Sequence, residues 1–337
     1  MATRASGRWA SPAGRRALVW LGLVVSAVFA YLAVRGVRFA EVKDALGEAD
    51  YWWIVPGTAA LAAYVFIKAV RWRQLFAPEQ RPPLGAVLRA LLVGYLFNNI
   101  LPMRAGEAAR IVALKQAART PRAETAATVV LERAYDVFSL LVLLFAVLPW
   151  FPHVGWLRAA GALAIVLTLG ITVAVALLAR YGDRPVGFAL RPLTRLRFLD
   201  AERVEVAVAN LTRGLAGLRR PRLMFAAFAW TTAAWLTLAL SCWLIMRGFD
   251  LDLSLAAGLL VVIATNLAAI LPSSPAGVGV FEQATLVALG AYGISDSRAL
   301  SYALVLHVVN FVPFLVVGVL VLQQEAVRAR RVPSARS

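Results

Sequence analysis

Cysteine occurs once in the 337 residues, at Cys242, and histidine twice, at His153 and His307. One thiol cannot build a disulfide framework, and so few Cys and His exclude a metal site made from those ligands. No metal and no cofactor is expected. Charge is scarce as well. Charged residues make up 16% of the chain against 61% hydrophobic ones, whereas a soluble domain carries about 25% and about 45–50%. Such a chain cannot cover a water-facing surface, which excludes an ordinary soluble fold and leaves the membrane class. Acids are fewest, 18 against 35 Lys and Arg, and every cation but Lys43, Lys68 and Lys115 is arginine. The net charge of +17 lies between apolar runs rather than in one basic module. That excludes nucleic acid as a partner and fits loops held at anionic headgroups. No phosphate-binding glycine loop is present, so ATP-driven chemistry within the chain is not expected.

What is present is long apolar sequence. Six runs, at 17–34, 52–70, 128–150, 156–179, 223–246 and 299–322, reach the roughly 20 residues that cross a bilayer. Arg4, Arg8, Arg15 and Arg16 precede the first run in signal-peptide order. That run is too long for a signal core and no Ala-x-Ala site follows, so it reads as the first membrane helix. Two further stretches, 84–118 and 255–291, are broken by Pro and Gly. Each is too interrupted for one helix and too short for two comfortable spans, as expected of re-entrant hairpins lined by protein or a cavity. The expected architecture is all-α and polytopic. A basic N-terminus (1–16) leads into one transmembrane domain (17–322), which carries a basic connector at 180–222, and a basic tail follows (323–337). With both hairpins returning to the side they entered, the positive-inside rule places both termini in the cytoplasm. Only Arg35, Arg38, Lys43, Arg158, Arg247 and Arg298 are then left outside. The expected location is the cell membrane.

The two broken stretches share a pattern. The first reads Asn98-Asn99-Ile100-Leu101-Pro102-Met103-Arg104-Ala105-Gly106-Glu107. The second reads Ile270-Leu271-Pro272-Ser273-Ser274-Pro275-Ala276-Gly277 and, after Val278, continues through Gly279 to Glu282. Both run Ile-Leu-Pro, then Ala-Gly, then a Glu that opens an apolar helix. Glu107 precedes Glu132, and Glu282 precedes His307, by the same 25 residues. Two such copies entering from opposite faces predict an inverted repeat, with a site near the midplane between them. Pro removes a backbone donor and Gly permits tight bends, so each tip would present loosened carbonyls and a helix N-terminus suited to phosphate.

Candidate binding residues follow. Around the first tip they are Asn99, Pro102, Arg104, Gly106, Glu107 and Arg110; Arg104, Glu107 and Arg110 share one helix face. Glu132, Arg133 and Asp136 open the next span. The second tip adds Pro272, Ser273, Ser274, Gly277, Gly279 and Glu282, and the last span adds His307 and Asn310. A charge at bilayer depth costs about 2.5–3.5 kcal/mol, so these groups should pair or line a polar cavity. The expected pairs are Arg104 or Arg110 with Glu132 or Asp136, and Arg133 with Glu107. The arginines would grip a lipid phosphate that the acids mimic in the empty site. The competing reading has Arg104 to Asp136 snorkelling at the headgroups.

Three motifs, Ile-Leu-Pro-x-Arg-Ala-Gly-Glu-x-x-Arg at 100–110, Glu-Arg-x-x-Asp at 132–136 and Leu-Pro-x-Ser-Pro-Ala-Gly-Val-Gly-x-Phe-Glu at 271–282, carry a family resemblance. Together with Arg71-Trp72, they resemble the flippase-like membrane family related to the transmembrane region of lysylphosphatidylglycerol synthase. The resemblance covers about 17–322. It implies movement of a lipid between leaflets, with synthesis left to a separate soluble domain. Where the resemblance implies Tyr-Arg on the last span, this chain has Leu306-His307, a titratable group in place of a fixed cation.

The leading expectation is a lipid flippase or lipid-linked-substrate translocator and not an enzyme. Its partners would be membrane lipids, either phospholipid or polyprenyl-phosphate-linked, with a separate lipid synthase or glycosyltransferase. One alternative is a non-transporting membrane partner of envelope lipid or glycan synthesis. Another is an intramembrane headgroup transferase using Glu132 with Asp136, or Glu282 with His307, as acid and base.

Overall fold

The computed structural model describes residues 12–101, 106–150, 221–269 and 271–331, with single positions at 155, 166, 169 and 170. The described elements are all helical, as expected for apolar segments whose backbone groups must be satisfied without water. They are α1 (Pro12–Val34), α2 (Phe39–Glu48), α3 (Ile54–Gln74), α4 (Leu84–Ile100), α5 (Gly106–Ala118), α6 (Arg122–Val147), α7 (Pro221–Arg247), α8 (Leu255–Ala268), α9 (Val280–Gly290) and α10 (Asp296–Arg331). Among the described residues, three segments are long and apolar enough to cross a membrane: Tyr51–Gln74, Arg222–Arg247 and Asp296–Glu325.

Several expectations change in detail. The first apolar run is followed, after an 82° turn, by the further helix α2. Gly36, at φ +84°, sits in that turn. The predicted span at 128–150 is a helix that begins earlier, at Arg122, and the last helix runs to Arg331. Both broken stretches are indeed broken. The first is α4 and α5; the second is α8, a 3₁₀ turn at Pro275–Gly277, and α9. The span expected at 156–179, nearly all of the 180–222 connector, and Pro102 and Arg104 lie outside the described residues.

The chain divides into two compact units. The first comprises Met1–Leu61, Leu91–Arg110 and Leu238–Ser337, and the second Ala62–Ala90 and Ile111–Thr237. In the first, α9 packs against α1, α8 and α10, and α2 packs against α10. Its interior is sealed by close backbone approach. A Cβ on Gly258 would stand 2.6 Å from the Ala239 carbonyl oxygen, so α7 and α8 touch where no side chain intervenes. Tyr302 donates its hydroxyl to the Cys242 carbonyl at 2.9 Å and meets Phe249 edge-on. The second unit is built around Leu131, Tyr135 and Ala227, with Leu75, Met224 and Phe228 packed on them.

Candidate functional site

The second hairpin tip is held by α1. Gly22, Ser26 and Ala30 recur every four residues and place small side chains on one helix face, the pattern that lets helices approach closely in lipid. A Cβ on Gly22 would lie 2.9 Å from the Ser273 carbonyl oxygen. The Ser274 amide donates to Ser26 Oγ at 2.8 Å. Gly279 sits at φ +84°, and a Cβ there would meet Ser26 O at 2.5 Å and Ala30 N at 2.6 Å. Ala276 and Gly277 also have left-handed backbone, at φ +63° and +72°. That conformation costs a non-glycine residue about 1–2 kcal/mol. Pro272 is exposed, and Ser273 is half-buried.

Glu282 is the charged centre of this tip. It occupies the third position of α9 and accepts the Gly279 amide at 2.7 Å, satisfying a donor that the helix start would leave unpaired. Its other oxygen contacts His307 Nδ1 directly. The His307 ring lies between Phe281, with centroids 4.7 Å apart, and Phe311 at 5.9 Å. The 25-residue spacing seen in the sequence is therefore a physical contact in this half. Asn310, one helical turn on, donates to the Leu306 carbonyl of its own helix.

At the first tip, Gly106 begins α5 and donates its amide to Asn98 Oδ1 at 2.9 Å. A Cβ on Gly106 would overlap the Gly94 carbonyl and Asn98, so glycine is what lets α5 fold back on α4. Glu107 and Arg110 pair at 2.8 Å, one turn apart, with Arg110 buried. Asn99 is half-buried, and its Nδ2 finds no acceptor among the described residues. Asn98, not singled out from the sequence, is the side chain that caps this helix. Asn98→Ala is expected to destabilise the tip by about 1 kcal/mol, because it removes that acceptor. Hydrogen exchange at the Gly106 amide should accelerate while that at Gly279 stays unchanged. In the same unit α10 also meets α4: Tyr95 and Phe314 stack with centroids 4.7 Å apart, and a Cβ on Gly318 would lie 2.7 Å from Leu96 Cβ. The last helix thus touches a helix of each broken stretch.

The charges of the second unit add cations that the sequence reading did not pair with the acids. Glu132 and Asp136 find their cations on α3. Arg71 reaches Asp136 at 2.5 Å and Glu132 at 2.8 Å, and donates to Thr231 at 3.0 Å. Lys68 lies 3.3 Å from Asp136 and 3.5 Å from Glu132, over the rings of Tyr64 and Trp235. Arg133 is 3.6 Å from Asp136. Arg71 is 0% exposed and Glu132 1%. Lys68, Arg71, Glu132 and Asp136 are all buried in the second unit, and Lys68 and Arg71 lie inside α3. Burial without partners would be prohibitive, so an apolar helix carrying two cations three residues apart was itself a sign of an internal acid pair.

Helices of spanning length with buried, mutually paired charges define a polytopic helical membrane protein. The family model described as Lysylphosphatidylglycerol synthase TM region matches residues 19–318, and the chain belongs to that family. It is 26% identical to the Glycosyltransferase AglD of Haloferax volcanii, over 90% of this chain and 54% of that protein, so it spans about half that relative's length. It is 23% identical to a UPF0104 membrane protein of Methanothermobacter thermautotrophicus, over 90% of this chain and 93% of the other.

Proposed function

We propose that the protein is a lipid flippase or lipid-linked-substrate translocator, not an enzyme, and that it moves an anionic or zwitterionic phospholipid-type substrate between leaflets. In this reading the chain makes six full spans, the broken stretches are re-entrant hairpins forming an inverted repeat, and both termini face the cytoplasm of a cell membrane. The observation that carries it is the pair of glycine-shaped helix starts that follow the two breaks. Each opens a helix with a Glu that is already engaged, Glu107 by Arg110 and Glu282 by His307. Charges placed at helix starts within apolar surroundings suit a headgroup with a phosphate, which would take over Arg110 as Glu107 lets go. Family membership supports the lipid class of substrate.

Reconstituted protein should accelerate leaflet exchange of a labelled phospholipid or polyprenyl phosphate over protein-free vesicles. Arg110→Ala and Glu282→Gln should each reduce that rate by at least about tenfold, roughly 1.4 kcal/mol in the barrier, while the protein still folds. Absence of exchange for every lipid tried removes the reading. The second reading, a membrane partner of glycan or lipid synthesis or a headgroup transferase, draws on the relative named a glycosyltransferase. A scaffold would tolerate both substitutions; a transferase would leave a chemically altered lipid.

A further inference from the structure

One face of α6 carries Thr125, Thr128, Glu132, Asp136 and Ser139, every one buried in the second unit. Their spacing keeps them in line on the helix, and at 1.5 Å per residue the row rises about 21 Å. A hydrocarbon core is roughly 30 Å thick, so the row is long enough to line most of a crossing. Its partners come from two other helices. Trp72 Nε1 donates to Thr128 at 3.0 Å, Arg71 and Lys68 hold the two acids, and Ser139 bonds Thr232 at 2.9 Å.

Helix packing in lipid does not require this polarity. Small and apolar residues hold bilayer helices together, and a buried ion-pair cluster is often no more stable than apolar groups of the same shape. Three of the hydroxyls are also secured independently of the seam. Thr125 bonds the Pro121 carbonyl, Thr128 the Thr125 carbonyl and Thr231 the Ala227 carbonyl. If the seam parted, these three hydroxyls would remain satisfied on their own helices, and the Trp72–Thr128 and Ser139–Thr232 bonds and the charge pairs would open to water or a headgroup. Among the described residues, the cations that meet the two acids, Lys68, Arg71 and the 41% exposed side chain of Arg133, outnumber them.

We infer that the polar row of α6 is the wall of a hydrated path for a phosphate-bearing headgroup, closed in this conformation by the Lys68–Arg71–Glu132–Asp136 cluster. The path rests on this row alone; only the identity of the headgroup rests on the transport reading.

Cysteine accessibility tests it in proteoliposomes. Thr128→Cys, Ser139→Cys and Thr232→Cys would be exposed to membrane-impermeant methanethiosulfonates of either charge. Lipid-facing Val130→Cys and Val137→Cys serve as controls, since those side chains point away from the row and are 52% and 47% exposed. The native chain sets the background, because Cys242 is buried. The row cysteines should react, at least about tenfold faster with the anionic sulfonatoethyl reagent than with the cationic trimethylammonium one. The control cysteines should not react. Adding Glu132→Gln should raise the row rates, because one bond of the closure is weakened. Row cysteines as inert as the controls would overturn the path. Reactivity without charge preference would overturn the anionic assignment, and rates unchanged by Glu132→Gln would overturn the cluster as the closure. A reactive row in a protein that exchanges no lipid would sink the transport reading and leave the path standing.

Discussion

Replacing Arg71 by methionine is expected to lower the stability of the protein by about 3–5 kcal/mol, the effect of stranding a buried charge. Arg71 touches both acids at contact distance, 2.5 Å to Asp136 and 2.8 Å to Glu132, while Lys68 stands off at 3.3 and 3.5 Å. Without the guanidinium, the two buried acids lose the cation nearest to both, with the rings of Tyr64 and Trp235 beside Lys68. Lys68→Met should therefore cost less than Arg71→Met. The double change Arg71→Met/Asp136→Leu should recover most of the loss, because it removes one charge of each sign and leaves Lys68 with Glu132. Thermal unfolding in lipid nanodiscs orders the three variants. If the double variant is as unstable as Arg71→Met, packing rather than charge balance explains the loss.

The second large effect is expected at Gly279. Alanine there must adopt φ +84°, which costs about 1–2 kcal/mol, and must also fit a Cβ 2.5 Å from the Ser26 carbonyl. Overpacking of that kind costs about a further 1–3 kcal/mol. Gly36 has the same φ, +84°, with nothing within 4 Å of its added Cβ. Gly36→Ala should thus show the backbone strain alone, and the difference between the two variants measures how firmly α1 abuts the hairpin tip. Equal losses in the same unfolding assay would mean that α1 yields, and that it is not a wall of the second tip.

Much of this architecture was legible without coordinates, for identifiable reasons. Long apolar runs become helices because nothing else satisfies a backbone in lipid. The Pro and Gly breaks at 102–106 and 272–279 interrupt those helices because one lacks a donor and the other tolerates left-handed turns. Glu282 and His307 could be matched by spacing alone, and the structure joins them. The bend into α2 was missed because Arg35, Gly36 and Arg38 read as an ordinary end of a span. The Gly22-Ser26-Ala30 face of α1 was visible as a small-residue pattern, but nothing in sequence said what would lie against it.

The sequence by itself determined that the protein is helical, embedded in a membrane, broken at two glycine- and proline-rich tips, and equipped with more intramembrane charge than packing requires. These are local properties, set by hydropathy, backbone freedom and the cost of burying ions. Only the tertiary structure decided which charge meets which. Arg71 and Lys68 lie more than sixty residues before Asp136, and spacing along a chain cannot choose among several cations that could neutralise the same acid. The choice is made by which helices pack side by side. That is why the cations that α3 brings to the acids of α6 were not foreseen in a helix read as a plain span.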